Sequence, residues 1–205
     1  MTTFVAMSKK GVLLVNLGTP NSPSVKDVRK YLREFLMDKY VIDLPYLTRW
    51  FLVNVIIATF RAPKSAVIYK QVWTKEGSPL LIYGLKVQQL LQKKLGVDIH
   101  VAFAMRYQNP PINTAIKELK NKGIDDLVVI PLYPQWASSS TKSSIEKVKE
   151  ELFATKFKLP TQKIYKVNFT IDNGSGIQIN HSVSIIINIP DSFTGRDVRR
   201  PHIID

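Results

Sequence analysis

Ala104-Met-Arg-Tyr107 and Pro131-Leu-Tyr-Pro-Gln135 each close a run that reads as a buried strand, and together they set a guanidinium and two phenols at strand ends. In a parallel sheet the carboxyl ends of the strands open onto the crevice where ligands bind. A hydroxyl-rich stretch, Ser138-Ser-Ser-Thr141, follows the second segment and leads into a helix start, where backbone N–H groups and the helix dipole attract anions. Guanidinium, phenols and hydroxyls suit a large, flat ligand with acidic substituents. Plainer readings stand beside this one. Arg106 would pair with a helix carboxylate and Tyr107 would pack, while any one of Ser138, Ser139, Ser140 and Thr141 would cap a helix. The address at strand ends favours a functional role for Arg106, Tyr107 and Tyr133.

Other chemistries lack their residues. The sequence has no cysteine, which excludes disulfides, thiolate zinc sites and protein-ligated iron–sulfur clusters. His100 stands at the head of a strand, opposite the expected crevice, and reads as structural. His181 and His202 have no second ligand at metal-binding spacing, so no metal site is expected. Gly-x-Gly-x-x-Gly, Walker, Gly-x-Ser-x-Gly and His-Glu-x-x-His patterns are absent.

The elements that must position these groups alternate. Gly11–Leu17 reads as a buried strand closed by Gly18-Thr-Pro20, and Ser24 precedes an amphipathic helix running to Met37. Helical segments are predicted over 46–58, 64–73 and 80–95, separated by Pro or Gly. A strand over 99–105, a helix over 112–121 stopped by Gly123, and a strand over 127–132 follow. Ser143-Ser-Ile-Glu146 has the spacing of a capping box for one more helix. This alternation predicts an α/β fold, a doubly wound parallel sheet with helices on both faces. One lobe is expected over residues 1–155. Residues 156–205 read as a divergent tail, the start of an incomplete second lobe, with a possible strand at 164–169 and an isolated apolar run at 183–187.

The formal net charge of +13 on 205 residues asks for a partner. Lys and Arg are spread along helices rather than clustered in a stripe, so nucleic acid is not expected. An acidic small molecule or an anionic membrane surface fits the same charge. Residues 1–10 do not read as a signal peptide. The most apolar window, 46–60, is broken by Arg49 and Asn54 and falls short of the ~20 residues a spanning helix needs. A cytoplasmic protein, membrane-peripheral at most, is the expectation.

Taken together, Leu13-Leu-Val-Asn-Leu-Gly-Thr-Pro20, Phe35-Leu-Met-Asp38, Glu76-Gly-Ser-Pro-Leu80 and the two strand-end segments with Ser138–Thr141 resemble the ferrochelatases. These enzymes insert ferrous iron into a porphyrin in heme biosynthesis. The matches keep the family's order and approximate spacing over residues 11 to about 153. The resemblance implies two similar α/β halves around a porphyrin cleft, of which this chain covers the first. It implies that Leu17, Thr19, Arg106, Tyr107, Tyr133, Ser138, Ser139, Ser140 and Thr141 line the pocket, with Phe35, Leu36 and Met37 as an apolar lip that meets the membrane. Porphyrin and ferrous iron are then substrates, with no permanently bound cofactor.

The departures are as specific. The family's catalytic histidine lies in a Ser-x-His-Gly-x-Pro segment of the second half, with an acidic partner later, and neither motif occurs here. The catalytic residues are therefore unassigned, and a truncated or frame-shifted reading frame is the expectation that accounts for the loss. Lys142 stands where the family commonly has Gly. The expected function is a ferrochelatase impaired by the missing base. Alternatives are a porphyrin-binding module without chemistry, a vestigial fragment, or a half-size chelatase that dimerises.

Overall fold

The computed structural model describes residues 9–157, Leu159 and the strands Gln162–Asp172 and Gln178–Asn188. In chain order the elements are β1 (Lys10–Gly18), α1 (Val25–Leu36), α2 (Tyr46–Phe51), α3 (Ala58–Val72), α4 (Pro79–Leu95), β2 (Ile99–Tyr107), α5 (Ile112–Asn121), β3 (Asp126–Pro131), α6 (Ser143–Ala154), β4 (Gln162–Asp172) and β5 (Gln178–Asn188). Two π-helical turns, Leu52–Ile57 and Ser138–Lys142, lead into α3 and α6.

β1 lies between β2 and β3 with all three parallel, and Val12 stands opposite both Val101 and Val128. Helices cover both faces of β1, which is why Val12 to Val15 is an unbroken apolar run rather than an alternating one. On one face Ile116, Leu119, Ile145, Val148 and Leu152 of α5 and α6 close over Leu13, Val15, Ala102, Ala104 and Val129. On the other, Leu81, Leu91 and Leu95 of α4 meet Val12, Leu14, Val101, Phe103 and Met105. Gly84 fixes how near α4 comes, since a Cβ there would sit 2.3 Å from Phe103 Cζ. The fold is the α/β, doubly wound lobe that the alternation predicts.

The full strand order is β2-β1-β3-β5-β4. β4 spans the strand expected at 164–169, and β5 takes in the apolar run at 183–187. These two pair antiparallel, and β5 joins the sheet through Val128↔Ile187 and Val129↔Ile186. The sheet is therefore parallel only across its first three strands. Two strands separated by a short connection can pair only antiparallel, because a parallel crossover needs a dozen or more residues.

Two other expectations are corrected. Residues 46–72 form one continuous helix of 27 residues rather than two segments broken near Pro63, and by length and composition it could cross a membrane. Packing outweighs the proline: Ala58, Ala62 and Ala66 are fully buried, two of them against α1. The capping box at Ser143 does not form. The π-helical turn enters α6 directly, with Lys142 already helical, so Ser143 begins inside a helix and its hydroxyl serves elsewhere.

Candidate functional site

Ser24 caps α1 by accepting the Asp27 N–H, and the buried face of α1, Val28, Tyr31, Leu32 and Leu36, seats the helix beside the end of β2. Asp38 follows two residues beyond the helix. At the end of β2 the chain turns through Gln108, whose φ of 65° lies in the left-handed region. Its backbone N–H and side-chain amide both donate to the Glu34 carboxylate on α1. The helix and the strand end are thus tied twice.

Asp38 is the centre of the second tie. Its Oδ2 accepts from Arg106 Nη2 at 2.5 Å, from Ser143 Oγ at 2.5 Å and from the Tyr107 hydroxyl at 2.8 Å. The Tyr40 N–H donates to Oδ1 at 2.8 Å. Ser143 Oγ accepts in turn from Arg106 Nε at 2.7 Å, so its single proton and a lone pair are both engaged. The Arg106 guanidinium lies 4.5 Å from the Tyr107 ring centroid, and Phe35 meets that ring edge-on at 5.2 Å. The Asp38 and Arg106 side chains are only 5% and 15% exposed.

Burial raises the Asp38 pKa. The hydrogen bonds from Ser143, the Tyr40 N–H and Tyr107, with the Arg106 charge, outweigh it and hold the carboxyl below the usual carboxylate range. Burial pushes the Tyr107 phenol up, against the Ser143 hydrogen bond and the Arg106 charge. The result is a carboxylate that stays ionised beside a phenol that stays protonated.

The expected site residues fall into four groups. Arg106 and Tyr107 share Asp38 and face inward. Tyr133 lies nearby, its hydroxyl 2.7 Å from Ser144 Oγ, and burial pushes its pKa up to about 12 despite that bond and the Arg106 charge. Ser138 to Thr141 form the π-helical turn, running from exposed Ser138 through half-buried Ser139 and Ser140 to buried Thr141. Leu17 and Thr19 flank Gly18, which stands in register with Tyr107 at the end of β1. Leu17 packs half-buried against the α1 cluster, and the Thr19 hydroxyl donates to Ser78 Oγ at 2.9 Å. Phe35 and Met37 are half-buried and Leu36 buried, all packed inward against that same cluster. Exposed apolar side chains lie on the long helix, at Leu47, Trp50, Phe51, Phe60, Val67 and Ile68.

Sequence reasoning missed Asp38, Ser143 and Tyr40 as members of the cluster. The available signal was the expectation that Arg106 pairs with a carboxylate, and Asp38 is an acid just past a helix end. A groove of about 480 Å³, lined by Asn16, Pro79, Leu80, Tyr83, Gly84, Val87 and Leu132, opens on the α4 side of the sheet and includes none of the expected residues. Among the described residues no three His or acid side chains gather as a metal site. His100 pairs with Glu118 at 2.6 Å, at the opposite end of β2 from Arg106. They stand six positions apart along the strand, about 20 Å at ~3.3 Å per residue.

The fold and the cluster define a class: an α/β lobe whose parallel strands carry a saturated acid–base knot and a hydroxyl-rich turn at their carboxyl ends. The ferrochelatase family model matches residues 9–169, and the chain belongs to that family. It is 48% identical over 142 residues to a ferrochelatase of Coxiella burnetii (strain CbuK_Q154), 47% over 140 to one of Bdellovibrio bacteriovorus, and 45% over 158 to one of Legionella pneumophila subsp. pneumophila. These matches cover 69%, 68% and 77% of this chain but 40%, 42% and 47% of the relatives. The chain spans less than half the length of the curated relatives it matches.

Proposed function

We propose that this lobe binds a porphyrin and serves ferrous iron insertion in heme biosynthesis. The observation that carries the reading is the family match through residues 9–169, which takes in every element of the strand-end cluster. In this reading Tyr133 and the Ser138–Thr141 turn face the ligand. Arg106 and Tyr107, both held by Asp38, act as positioning residues that fix the mouth of the cleft.

Metallation removes two pyrrole protons, and a neutral imidazole suits that task because its pKa is near working pH. His100 is far from the cluster, and general-base catalysis is worth roughly a hundred- to ten-thousand-fold. With His100 as the base, turnover is therefore expected to be slow, and a porphyrin-binding module without chemistry is the reading that this distance favours next. The long helix supports peripheral membrane contact. Residues 44–75 contain no acid, five Lys or Arg, and the exposed apolar side chains, the pattern of a helix that lies on an anionic surface.

An absorbance titration with protoporphyrin, followed by anaerobic iron insertion, tests the proposal. Saturable binding with slow insertion is the expected result. Failure to bind any porphyrin would overturn it.

A further inference from the structure

Two ammonium groups converge on one phenol at the rim of the knot. Lys39 Nζ lies 5.1 Å and Lys142 Nζ 5.3 Å from the centroid of the Tyr40 ring. One cation over a ring is an ordinary favourable contact, whereas a second on the same ring adds like-charge repulsion. Both lysines are exposed, and among the described residues neither has a carboxylate within ion-pair distance. Asp38, next to Lys39 in the chain, has its oxygens taken up by Arg106, Tyr107, Ser143 and the Tyr40 N–H.

The fold brings together the two segments that carry these lysines. Tyr40 is anchored through its own N–H on Asp38 Oδ1, and Lys142 immediately precedes Ser143, whose hydroxyl donates to Oδ2 of the same carboxylate. One buried carboxylate therefore holds the two segments that carry the cations, the connection after α1 and the turn before α6. Both lie on the side of the sheet edge where parallel strands present their ligands.

We infer that Lys39, Tyr40 and Lys142 form a two-cation seat for a carboxylate group on the periphery of the bound ligand. The identity of that ligand as a porphyrin rests on the proposed function; the seat for a carboxylate does not. An anion received there relieves the repulsion between the ammonium groups, so the second cation strengthens the binding that the first begins.

The test uses the full chain with its lysines ¹³C-dimethylated, titrated with benzoate at low ionic strength. The Lys39 and Lys142 signals are expected to move together at lower benzoate than the remaining lysines. In Lys142→Ala the Lys39 response should weaken roughly two- to fivefold, the scale of one exposed ion contact, and Lys142→Arg should restore it. Uniform shifts of all lysines, or a Lys39 response indifferent to Lys142→Ala, overturns the seat. Absorbance titrations with a porphyrin dicarboxylate and its dimethyl ester separate the two claims. Tighter binding of the diacid, lost in Lys142→Ala, supports both; equal binding of diacid and ester overturns the seat and leaves porphyrin binding standing. Benzoate shifts confined to Lys39 and Lys142 without any porphyrin binding overturn the functional reading and leave the seat.

Discussion

The knot around Asp38 and the outer face of the long helix treat their side chains in opposite ways. In the knot each polar group finds its partner within the protein: the carboxylate takes three side-chain donors and a backbone N–H, and only small fractions of Asp38 and Arg106 reach solvent. The helix leaves its apolar groups unmet, with Leu47 79% and Phe60 70% exposed. A saturated site holds its geometry before a ligand arrives, and an unsaturated face gains only when something covers it. Loss of a residue should therefore cost stability at the knot and cost association at the helix.

The largest effect belongs to Asp38→Ala. Removing the carboxylate strands a mostly buried guanidinium and leaves the Ser143 and Tyr107 hydroxyls without their acceptor. Breaking a buried pair in this way costs about 3–5 kcal/mol, so urea unfolding should show a loss of that size. A loss under about 1 kcal/mol, the range of an exposed pair, would show that the cluster does not hold this end of the sheet together.

A smaller effect of defined sign comes from acid. The Asp38 pKa is lower folded than unfolded, so its contribution is present above the unfolded value, near 3.9, and is lost as pH falls through the folded one. Asp126 works in the opposite direction. Burial raises its pKa, with Lys10 opposing and Asp125 adding, and its Oδ1 is buried without a hydrogen-bond partner, so protonation relieves it. Asp38→Asn should flatten the fall in stability below about pH 4, and Asp126→Asn should remove a stability gain that comes earlier in the acid limb, as pH falls through the raised folded value toward about 4. Urea midpoints measured from pH 6 down to pH 3 would read both, and the same slope in all three proteins would contradict the assignment.

What the sequence made legible is what neighbouring residues determine. Val12 to Val15 had to be a strand covered on both faces, and α5 is bounded by Pro111 and the Gly123 turn where its pattern says. The knot joins Asp38 to residues 68 and 105 positions away, and no periodicity carries a pairing of that span. The same distance explains the failed capping box, because the Ser143 hydroxyl answers to Asp38 rather than to its own helix. Pro63 read as a break until the burial of Ala58, Ala62 and Ala66 decided otherwise. Local rules placed the elements, and long-range satisfaction of polar groups decided what their ends do.

The smallest stability effect should come from the helix face, and it is the sharpest test of the contrast. Phe60→Ser removes an exposed ring, so unfolding should move by no more than about 0.5 kcal/mol. If the face rests on an anionic bilayer, the same substitution removes a side chain worth about 1.5–3 kcal/mol when buried, and partitioning onto anionic vesicles should fall roughly tenfold or more. Arg61 and Lys64 flank it, so high salt should weaken binding of the unsubstituted chain while leaving the apolar part in place. A large loss of stability with unchanged vesicle binding would mean that Phe60 is covered by protein, and the contrast between a closed knot and an open face would fail at the helix.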